Sequence, residues 1–305
     1  MLDFRMETFL ALCRTMNYTR AAEELRITQP AVTQHIQYLQ RHYGVKLFSY
    51  HDKRLALTEA GEALHSAALT MEHDERELRQ RLPLLEKGRQ HLRLGATLTV
   101  GEYALPPHLA RYMKRHPEIT VHLVVGSTRN LLAQIDRGAL DAAIVEGYFP
   151  RGEYDAIPWS AEPFVGVCAA DSALPARLAL ADLFSQPLIL RDPESGSREI
   201  LERALRERNY QLSDFARIVE INDLTVIKQL VEQNCGVTFL YRRAVTRELA
   251  EGRLRALQIE NWDIRHEFTF LWRAGSVFET QYRRLYEQLC CDREDNNEHD
   301  RICNP

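Results

Sequence analysis

Several features that would indicate a membrane or secreted protein are missing from this 305-residue sequence. No apolar run reaches the roughly 20 residues that a helix needs to cross a bilayer. The first ten residues, MLDFRMETFL, include acidic side chains where a signal peptide would be uninterrupted and apolar. We therefore expect a cytoplasmic protein with no membrane partner.

Cysteine is scarce and scattered along the chain. The six cysteines lie at positions 13, 168, 235, 290, 291 and 303 and show no CxxC spacing. This distribution argues against a zinc site and against a disulfide framework, so we expect reduced thiols, no metal and no cofactor. An oxidant sensor built from Cys290, Cys291 and Cys303 is the alternative, but no activating pattern lies beside them.

Motifs of the common enzyme classes are also missing. The sequence has no GxSxG nucleophile elbow, no P-loop and no HExxH zinc motif, and its acidic residues are spread along predicted helices. We therefore expect no enzymatic activity. The formal net charge of -4 excludes a generally basic surface, so any DNA contact must come from a local patch.

Residues 19–39, TRAAEELRITQPAVTQHIQYL, have the pattern of two short helices around a tight turn. We expect Thr19 to cap the first helix and Ile27 to fill the corner between the two. Thr28 is expected to cap the second helix, with Pro30 in its first turn, where a missing N–H is tolerated. The residues at helical spacing that should face the core are Val32, Ile36 and Leu39.

The outer face of the second helix carries amide, hydroxyl and methyl groups, which suit base edges in a major groove. The predicted base-reading residues are Gln29, Pro30, Ala31, Thr33, Gln34 and Gln37. From Ile27 to Gln40 there is no Lys or Arg, so phosphate contacts must come from neighbouring segments. The expected phosphate ligands are Arg20, Arg41, Lys46, Lys53 and Arg54. Taken alone, such a face fits a solvated structural helix equally well.

Four segments between residues 4 and 61 extend this pattern: FLALCRTMNYTRAAEEL, ITQPAVTQHIQYL, YGVKLF and LTEAGEAL. They resemble the amino-terminal domain of LysR-type transcriptional regulators. The resemblance implies a bacterial regulator whose partners are promoter DNA, a small-molecule effector, further copies of itself as a homodimer or homotetramer, and RNA polymerase. The sequence departs from the family at Gln34 and Tyr50, where members often carry a basic residue.

The resemblance also implies an α/β protein with three parts. These are an all-α winged helix-turn-helix domain (1–58), a linker and dimerisation helix (59–89) and an effector domain built like a periplasmic binding protein (90–305). The linker has apolar residues near heptad spacing, which favours pairing with a second chain over an intramolecular core. The expected dimer contacts are Leu64, Met71, Leu78, Leu82 and Leu85, with Ala68 in the same row. Pro83 is expected to bend this helix.

From His91 short apolar strands alternate with helices, which is typical of an α/β domain with a largely parallel sheet. We expect subdomain I at about 90–163 and 266–291 and subdomain II at about 164–265. The chain then crosses twice between the subdomains and forms a hinged cleft. The polar tail from residue 292 is expected to be loose.

Several polar segments follow predicted strands or open predicted helices, where helix N-termini favour a small anion. The expected effector-binding residues are Thr97, Thr99, Gly126, Ser127, Thr128, Ser197, Arg198 and Thr225. For each segment alone, simple helix capping is the alternative. The family resemblance implies that they share one cleft, and GATLTVGEYALP is similar to the subgroup that includes regulators of sulfur assimilation and carbon fixation.

Two other functions account for only part of the chain. A solute-binding protein would explain residues 91–290 but would leave the first ninety residues without a role. A purely architectural DNA-binding dimer would leave the cleft without one. A ligand-responsive transcriptional regulator uses both parts, so we predict that function.

Overall fold

Three helices form the N-terminal part of the computed structural model, which describes residues 3–51, 54–85 and 90–290. They are α1 (Phe4–Thr15), α2 (Tyr18–Leu25) and α3 (Gln29–Tyr43). Their shared core includes Phe9, Leu12, Ala21 and the predicted inward row Val32, Ile36 and Leu39, all buried. The helical spacing of these apolar residues therefore predicted the core of this domain correctly.

The caps of the two helix-turn-helix helices agree with the sequence only in part. Thr28 caps α3, and its hydroxyl accepts the Ala31 N–H at 3.4 Å. The prediction that Thr19 caps α2 was wrong, because the helix begins at Tyr18 and Asn17 is its N-cap. The side-chain oxygen of Asn17 accepts the N–H groups of Thr19 and Arg20 at 2.9 and 3.1 Å.

The turn between α2 and α3 is closed by the backbone, not by an apolar side chain. Arg26 takes the left-handed conformation with φ 55°, and the Ile27 N–H donates to the Ala22 carbonyl at 3.0 Å. Ile27 is consequently 37% exposed, so the prediction that it fills the corner was wrong. Tyr43 and Val45 are exposed as well.

A two-stranded antiparallel wing follows α3 and leads into the long linker helix. The strands are β1 (Phe48–His51) and β2 (Arg54–Leu57), with His51 opposite Arg54. The linker helix α4 spans Glu59–Leu85, with Pro83 inside it. Thr58 caps it, accepting the Gly61 N–H at 3.0 Å.

The effector domain contains one mixed sheet and smaller two-stranded sheets. Its strands are β3 (Gln90–Ala96), β4 (Ile119–Val125), β5 (Ala142–Val145), β6 (Tyr154–Ala169), β7 (Arg177–Leu178), β8 (Pro187–Leu190), β9 (Arg217–Glu220), β10 (Thr238–Tyr241), β11 (Leu254–Ala256), β12 (Gln258–Ile259) and β13 (Ile264–Arg273). Its helices are α5 (Leu105–Arg115), α6 (Thr128–Asp136), α7 (Gly196–Arg206), α8 (Leu224–Glu232), α9 (Thr246–Ala250) and α10 (Glu279–Cys290). A π-helical turn, Val100–Ala104, runs directly into α5, so the helical segment begins before Pro106 and Pro107.

The main sheet has the strand order β10–β6–β13–β5–β3–β4, and β11 also pairs with β6. Strands β3, β4 and β5 are parallel, whereas β6, β10, β11 and β13 pair in antiparallel fashion. The sheet is therefore less parallel than predicted. The reason is that the two chain crossings are themselves long strands, which join the subdomains within one sheet.

These two crossings lie side by side. In the β6–β13 register Glu162 is opposite His266 and Pro163 is opposite Arg265, next to the places where the sequence predicted the crossings. Subdomain II adds the parallel pair β8–β9, which a bridge between Leu188 and Val237 connects to the segment before β10. The carboxyl ends of β3 and β5 in one subdomain and of β8 in the other thus lead into the region between the subdomains.

Candidate DNA interface and effector cleft

The outward face of α3 carries the predicted base-reading groups. Gln29, Pro30, Gln34 and Gln37 are exposed, and Ala31 and Thr33 are half-buried. The Gln29 amide nitrogen donates to the Thr33 hydroxyl at 3.1 Å, and that hydroxyl donates to the Gln29 carbonyl at 3.2 Å. These bonds use one N–H of the Gln29 amide; its side-chain oxygen and second N–H are the two groups that can pair with N6–H and N7 of adenine in a major groove.

Cationic side chains flank this face at both ends. Arg20 is exposed in the first turn of α2, and Arg41 and Lys46 are exposed near the end of α3. Arg54 is exposed at the start of β2. The prediction for Lys53 concerns a position outside the described residues.

The predicted row of apolar residues on α4 divides into two parts. Leu64 and Ala68 pack against the core of the DNA-binding domain, so the prediction of Leu64 as a dimer contact was wrong. Met71, Leu78 and Leu82 are 52%, 47% and 53% exposed and form an unpartnered apolar stripe on the described chain. Leu85 belongs to the same row, but its side chain is not among those described.

The opposite face of α4 packs on subdomain I through buried polar groups. Glu77 pairs with Arg93, which in turn pairs with Asp141. His73 contacts the Ile135 carbonyl at 2.7 Å and the Tyr282 hydroxyl at 3.0 Å. Burial and the neighbouring Asp141 raise the pKa of Glu77.

A second buried cation, Arg273 on β13, also reaches this helix. It is fully buried and donates to the Ser66 carbonyl at 3.0 Å and the Thr70 hydroxyl at 3.2 Å. Its guanidinium also pairs with Asp136 at 3.1 Å. Charged groups on several strands and helices of subdomain I thus join this subdomain to the linker helix. The sequence did not predict these contacts.

Buried polar atoms without a hydrogen-bond partner in the described part of the chain collect where the two subdomains meet. They include the hydroxyls of Thr97, Thr128 and Tyr241, one carboxylate oxygen of Glu146 and one guanidinium nitrogen of Arg191. Each residue lies at or just beyond the end of a strand or at the start of a helix. Such atoms usually find a partner, so this group is the candidate effector cleft.

Contacts within subdomain I and between the two subdomains show that these residues are neighbours. The Thr97 N–H donates to the Ile144 carbonyl at 3.1 Å, which places the end of β3 beside the end of β5. A Cβ on Gly196, the first residue of α7, would lie 2.8 Å from the Glu146 side chain, so only glycine permits this approach. Burial and the charge of Glu146 raise the pKa of Tyr241 well above its ordinary value.

Glu146 is the most perturbed acid of the cleft. Burial raises its pKa to about 7, and hydrogen bonding from Thr99 and the positive charge of Arg191 act in the opposite direction. The two predicted threonines are therefore both part of this site. Each of them, Thr97 and Thr99, is only 2% exposed.

The predicted anion ligand Arg198 is engaged elsewhere. Its guanidinium pairs with Glu202 and Glu220, each at 2.8 Å, and donates to the Arg191 carbonyl at 3.2 Å. Arg191 instead provides a buried guanidinium nitrogen with no partner among the described residues. The predicted Arg198 is thus paired with carboxylates on the same helix and on β9, whereas Arg191 keeps an uncommitted nitrogen.

The remaining predicted ligands contribute unequally. Thr128 is buried against Gly147, and Ser197 is buried at the start of α7, where Ser195 provides the cap. Ser127 caps α6 through the Asn130 N–H at 3.4 Å, and the Gly126 N–H donates to the Ala96 carbonyl. Thr225 is exposed, and Asp223 accepts the first N–H groups of α8, so this helix start offers little to an anion.

Glu146, Arg191 and Tyr241 were missed, although the sequence contained a signal for two of them. Glu146 and Arg191 follow the apolar strand segments AAIV and PLIL directly. The rule that binding clefts lie beyond the carboxyl ends of parallel strands would have selected both. Tyr241 has no comparable signal, because it lies within an apolar strand.

Other kinds of site are not evident in the described ranges. There, no group of His, Cys, Asp and Glu side chains is arranged to hold a metal ion. Within those same ranges no helix combines the length and apolar character needed to cross a bilayer. Cys13 and Cys168 are buried, and Cys291 and Cys303 lie outside the described residues.

Relatives of known type match the chain over most of its length. It is 29% identical over 275 residues to the RuBisCO operon transcriptional regulator of Allochromatium vinosum, with 89% of each chain covered. It is 25% identical over 272 residues to the transcriptional regulator CysL of Bacillus subtilis (strain 168), covering 87% of this chain and 89% of CysL. The regulatory domain of Synechocystis PCC6803 CcmR in complex with 2-PG superposes with a TM-score of 0.59 at 20% identity, covering 67% of this chain and 99% of that one.

Two family models cover both halves of the chain. Residues 4–62 match the model of bacterial regulatory helix-turn-helix proteins of the lysR family, and residues 86–290 match the LysR substrate binding domain. These matches and the fold confirm the predicted winged helix-turn-helix and two-subdomain α/β architecture. The family consists of transcriptional regulators and not of enzymes. The chain belongs to the LysR family of transcriptional regulators, with an N-terminal DNA-binding domain and a C-terminal effector-binding domain.

Proposed function

We propose that this regulator responds to a small anionic effector bound between the two subdomains. The observation that carries the proposal is the group of buried polar atoms without a partner in the described chain, from Thr97, Thr128, Glu146, Arg191 and Tyr241. A buried polar atom without a partner costs about 1 to 3 kcal/mol. A ligand that reached several of these atoms at once would remove much of that cost.

The sign of the expected ligand charge comes from Arg191. Its side chain is 11% exposed and pairs with Asp192 through Nη2 at 3.1 Å and Nε at 3.3 Å. The other terminal nitrogen has no partner in the described part of the chain. A guanidinium with an unused buried N–H binds carboxylate or phosphate oxygens well, because both accept charge-assisted hydrogen bonds. The similar CcmR domain was itself solved with a small molecule, 2-PG.

The response to the ligand is proposed to pass through the linker helix. Two copies pair along Met71, Leu78 and Leu82, which sets the spacing of two helix-turn-helix domains on promoter DNA. The effector shifts the spacing of the two DNA-binding domains because it binds two forms of the effector domain with different affinities. The proposed target of this shift in the DNA-bound dimer is RNA polymerase at the promoter. The proposed location of the regulator is the cytoplasm.

Thermal unfolding of the full chain against a library of small metabolic anions tests the anion site. An effector at a hundred times its dissociation constant should add about 2.7 kcal/mol of stability, or roughly 5 to 11 °C in the midpoint of a domain of this size. Arg191→Gln should remove most of this shift. Arg177→Gln, which changes an arginine paired with Glu260 at 3.3 Å on the surface, should retain it.

Two results would count against the proposal. If no anion raises the midpoint of the parent chain, the ligand is not an anion. If an anion raises the midpoints of the parent and of Arg191→Gln equally, it binds outside this cleft.

A further inference from the structure

The cleft contains an acid that a purely anionic ligand would not explain. Glu146 is 2% exposed, and one of its carboxylate oxygens has no hydrogen-bond partner within the described chain. It follows β5 in subdomain I and touches the first residue of α7 in subdomain II. A carboxylate in this position repels an anion but accepts a hydrogen bond from a donor.

The groups around Glu146 come from both subdomains. Thr99 donates a hydrogen bond to the carboxyl group, and Arg191 and Tyr241 are close enough for their charge states to interact with it. Arg191 forms its ion pair with Asp192, and no ion pair to Glu146 is present among the described residues. The cleft therefore offers a cationic hydrogen-bond donor and a carboxyl acceptor that are not paired with each other.

We propose that the effector is a dipolar small molecule, with an anionic group for Arg191 and a hydroxyl or ammonium donor for the unpaired oxygen of Glu146. This inference rests on the proposed anion site and adds the second half of the recognition. A site that accepts a hydrogen bond from its ligand discriminates against an analogue without the donor, because the buried acceptor is then left unpaired. Hydroxy acids and amino acids are the simplest molecules of this class.

Matched series of small acids test the proposal directly. Propionate, L-lactate and L-alanine differ only in carrying hydrogen, hydroxyl or ammonium at one carbon, and succinate, L-malate and L-aspartate form a second series. Affinities for the full-length protein would be measured by calorimetry at pH 7. We expect a donor-bearing member of at least one series to bind roughly ten- to a hundredfold more tightly than its plain acid.

A single substitution then assigns the preference to Glu146. Glu146→Leu has a similar size but removes both acceptor oxygens, and it should reduce the preference to within about threefold while the plain acid binds as well or better. Glu118→Gln, which changes an exposed acid beside His116, is the matched control and should leave the preference intact. Thermal unfolding without ligand verifies that each variant is folded.

The comparison within the parent protein is independent of any variant. Equal affinity for the plain acid and its donor-bearing partners would overturn the dipolar site but leave the anion site standing. The same holds if Glu146→Leu folds and keeps the full preference. Failure of all six acids to bind would also overturn the dipolar site, whereas the anion site is decided separately by the library screen and Arg191→Gln.

Discussion

The buried carboxyl group of Glu146 predicts that the effector domain loses stability as the pH rises through neutrality. Burial raises its pKa from the ordinary 4.5 to about 7. An acid that binds its proton more tightly in the folded than in the unfolded chain stabilises the fold fully below pH 4.5, and this contribution is lost as the pH rises through about 7. A difference of roughly 2.5 pKa units corresponds to a free energy on the order of 3 kcal/mol.

Thermal unfolding between pH 5 and pH 8 measures this loss. Relative to the parent chain, Glu146→Gln should gain on the order of 3 kcal/mol across the range, which is roughly 6 to 12 °C in the midpoint for a domain of about 200 residues. Taking the difference between the two proteins removes the parts of the profile that other groups cause. Glu77, whose pKa is also raised, acts in the same direction, whereas His73 and His266, whose pKa values are lowered by burial, act in the opposite one.

If Glu146→Gln and the parent chain show parallel profiles, the carboxyl group of Glu146 does not cause the loss of stability. Parallel profiles would mean that the carboxyl group is solvated in the folded protein or carries its charge throughout. Glu118→Gln serves as the control here as well, because Glu118 is 51% exposed and its replacement removes the same charge without changing the cleft.

Three further substitutions test other parts of the molecule. Gln29→Ala should weaken discrimination at one base pair by about 1 to 3 kcal/mol, and equal losses on operator and random DNA in gel-shift assays would contradict base reading. Met71→Glu combined with Leu78→Glu should give monomers in sedimentation, and an unchanged oligomer would place the dimer contact elsewhere. Arg273→Met should lower the free energy of unfolding in urea by about 3 to 5 kcal/mol, because Asp136 is left without its buried partner, and a loss below about 1 kcal/mol would refute this role.

The DNA-binding domain was predictable because its pattern is local. The spacing of Val32, Ile36 and Leu39 is set by the helix itself, and Thr28 caps α3 through a residue three positions away. The wrong prediction of the α2 cap arose because two nearby residues can each cap the helix. Asn17 and Thr19 are both good capping residues, and the packing of α2 against α1 and α3, not the sequence spacing, determines which of them precedes the helix.

The cleft was less predictable because its chemistry depends on contacts between distant residues. Thr97 and Thr99 were found from their position after a strand, but the engagement of Arg198 with Glu220 depends on β9, 22 residues further along the chain. Arg191 follows a strand and Arg198 opens a helix, so the local sequence places both where a binding cleft is expected. The pairing partners decide which guanidinium retains an unused N–H, and only the fold provides those partners.

The same long-range contacts bear on how the effector domain acts on the DNA-binding domain. Glu77, His73 and Ser66 of α4 make polar contacts that all go to subdomain I, Ser66 by accepting from Arg273. Asp74 of α4 adds Ser276 of the same subdomain at 2.6 Å. Because breaking such buried pairs is costly, α4 and subdomain I should move together. The cleft, in contrast, has Glu146 on subdomain I and Arg191 on subdomain II. A ligand that joins these two residues therefore changes the position of subdomain II relative to the linker helix, and any signal to the DNA must start from that displacement.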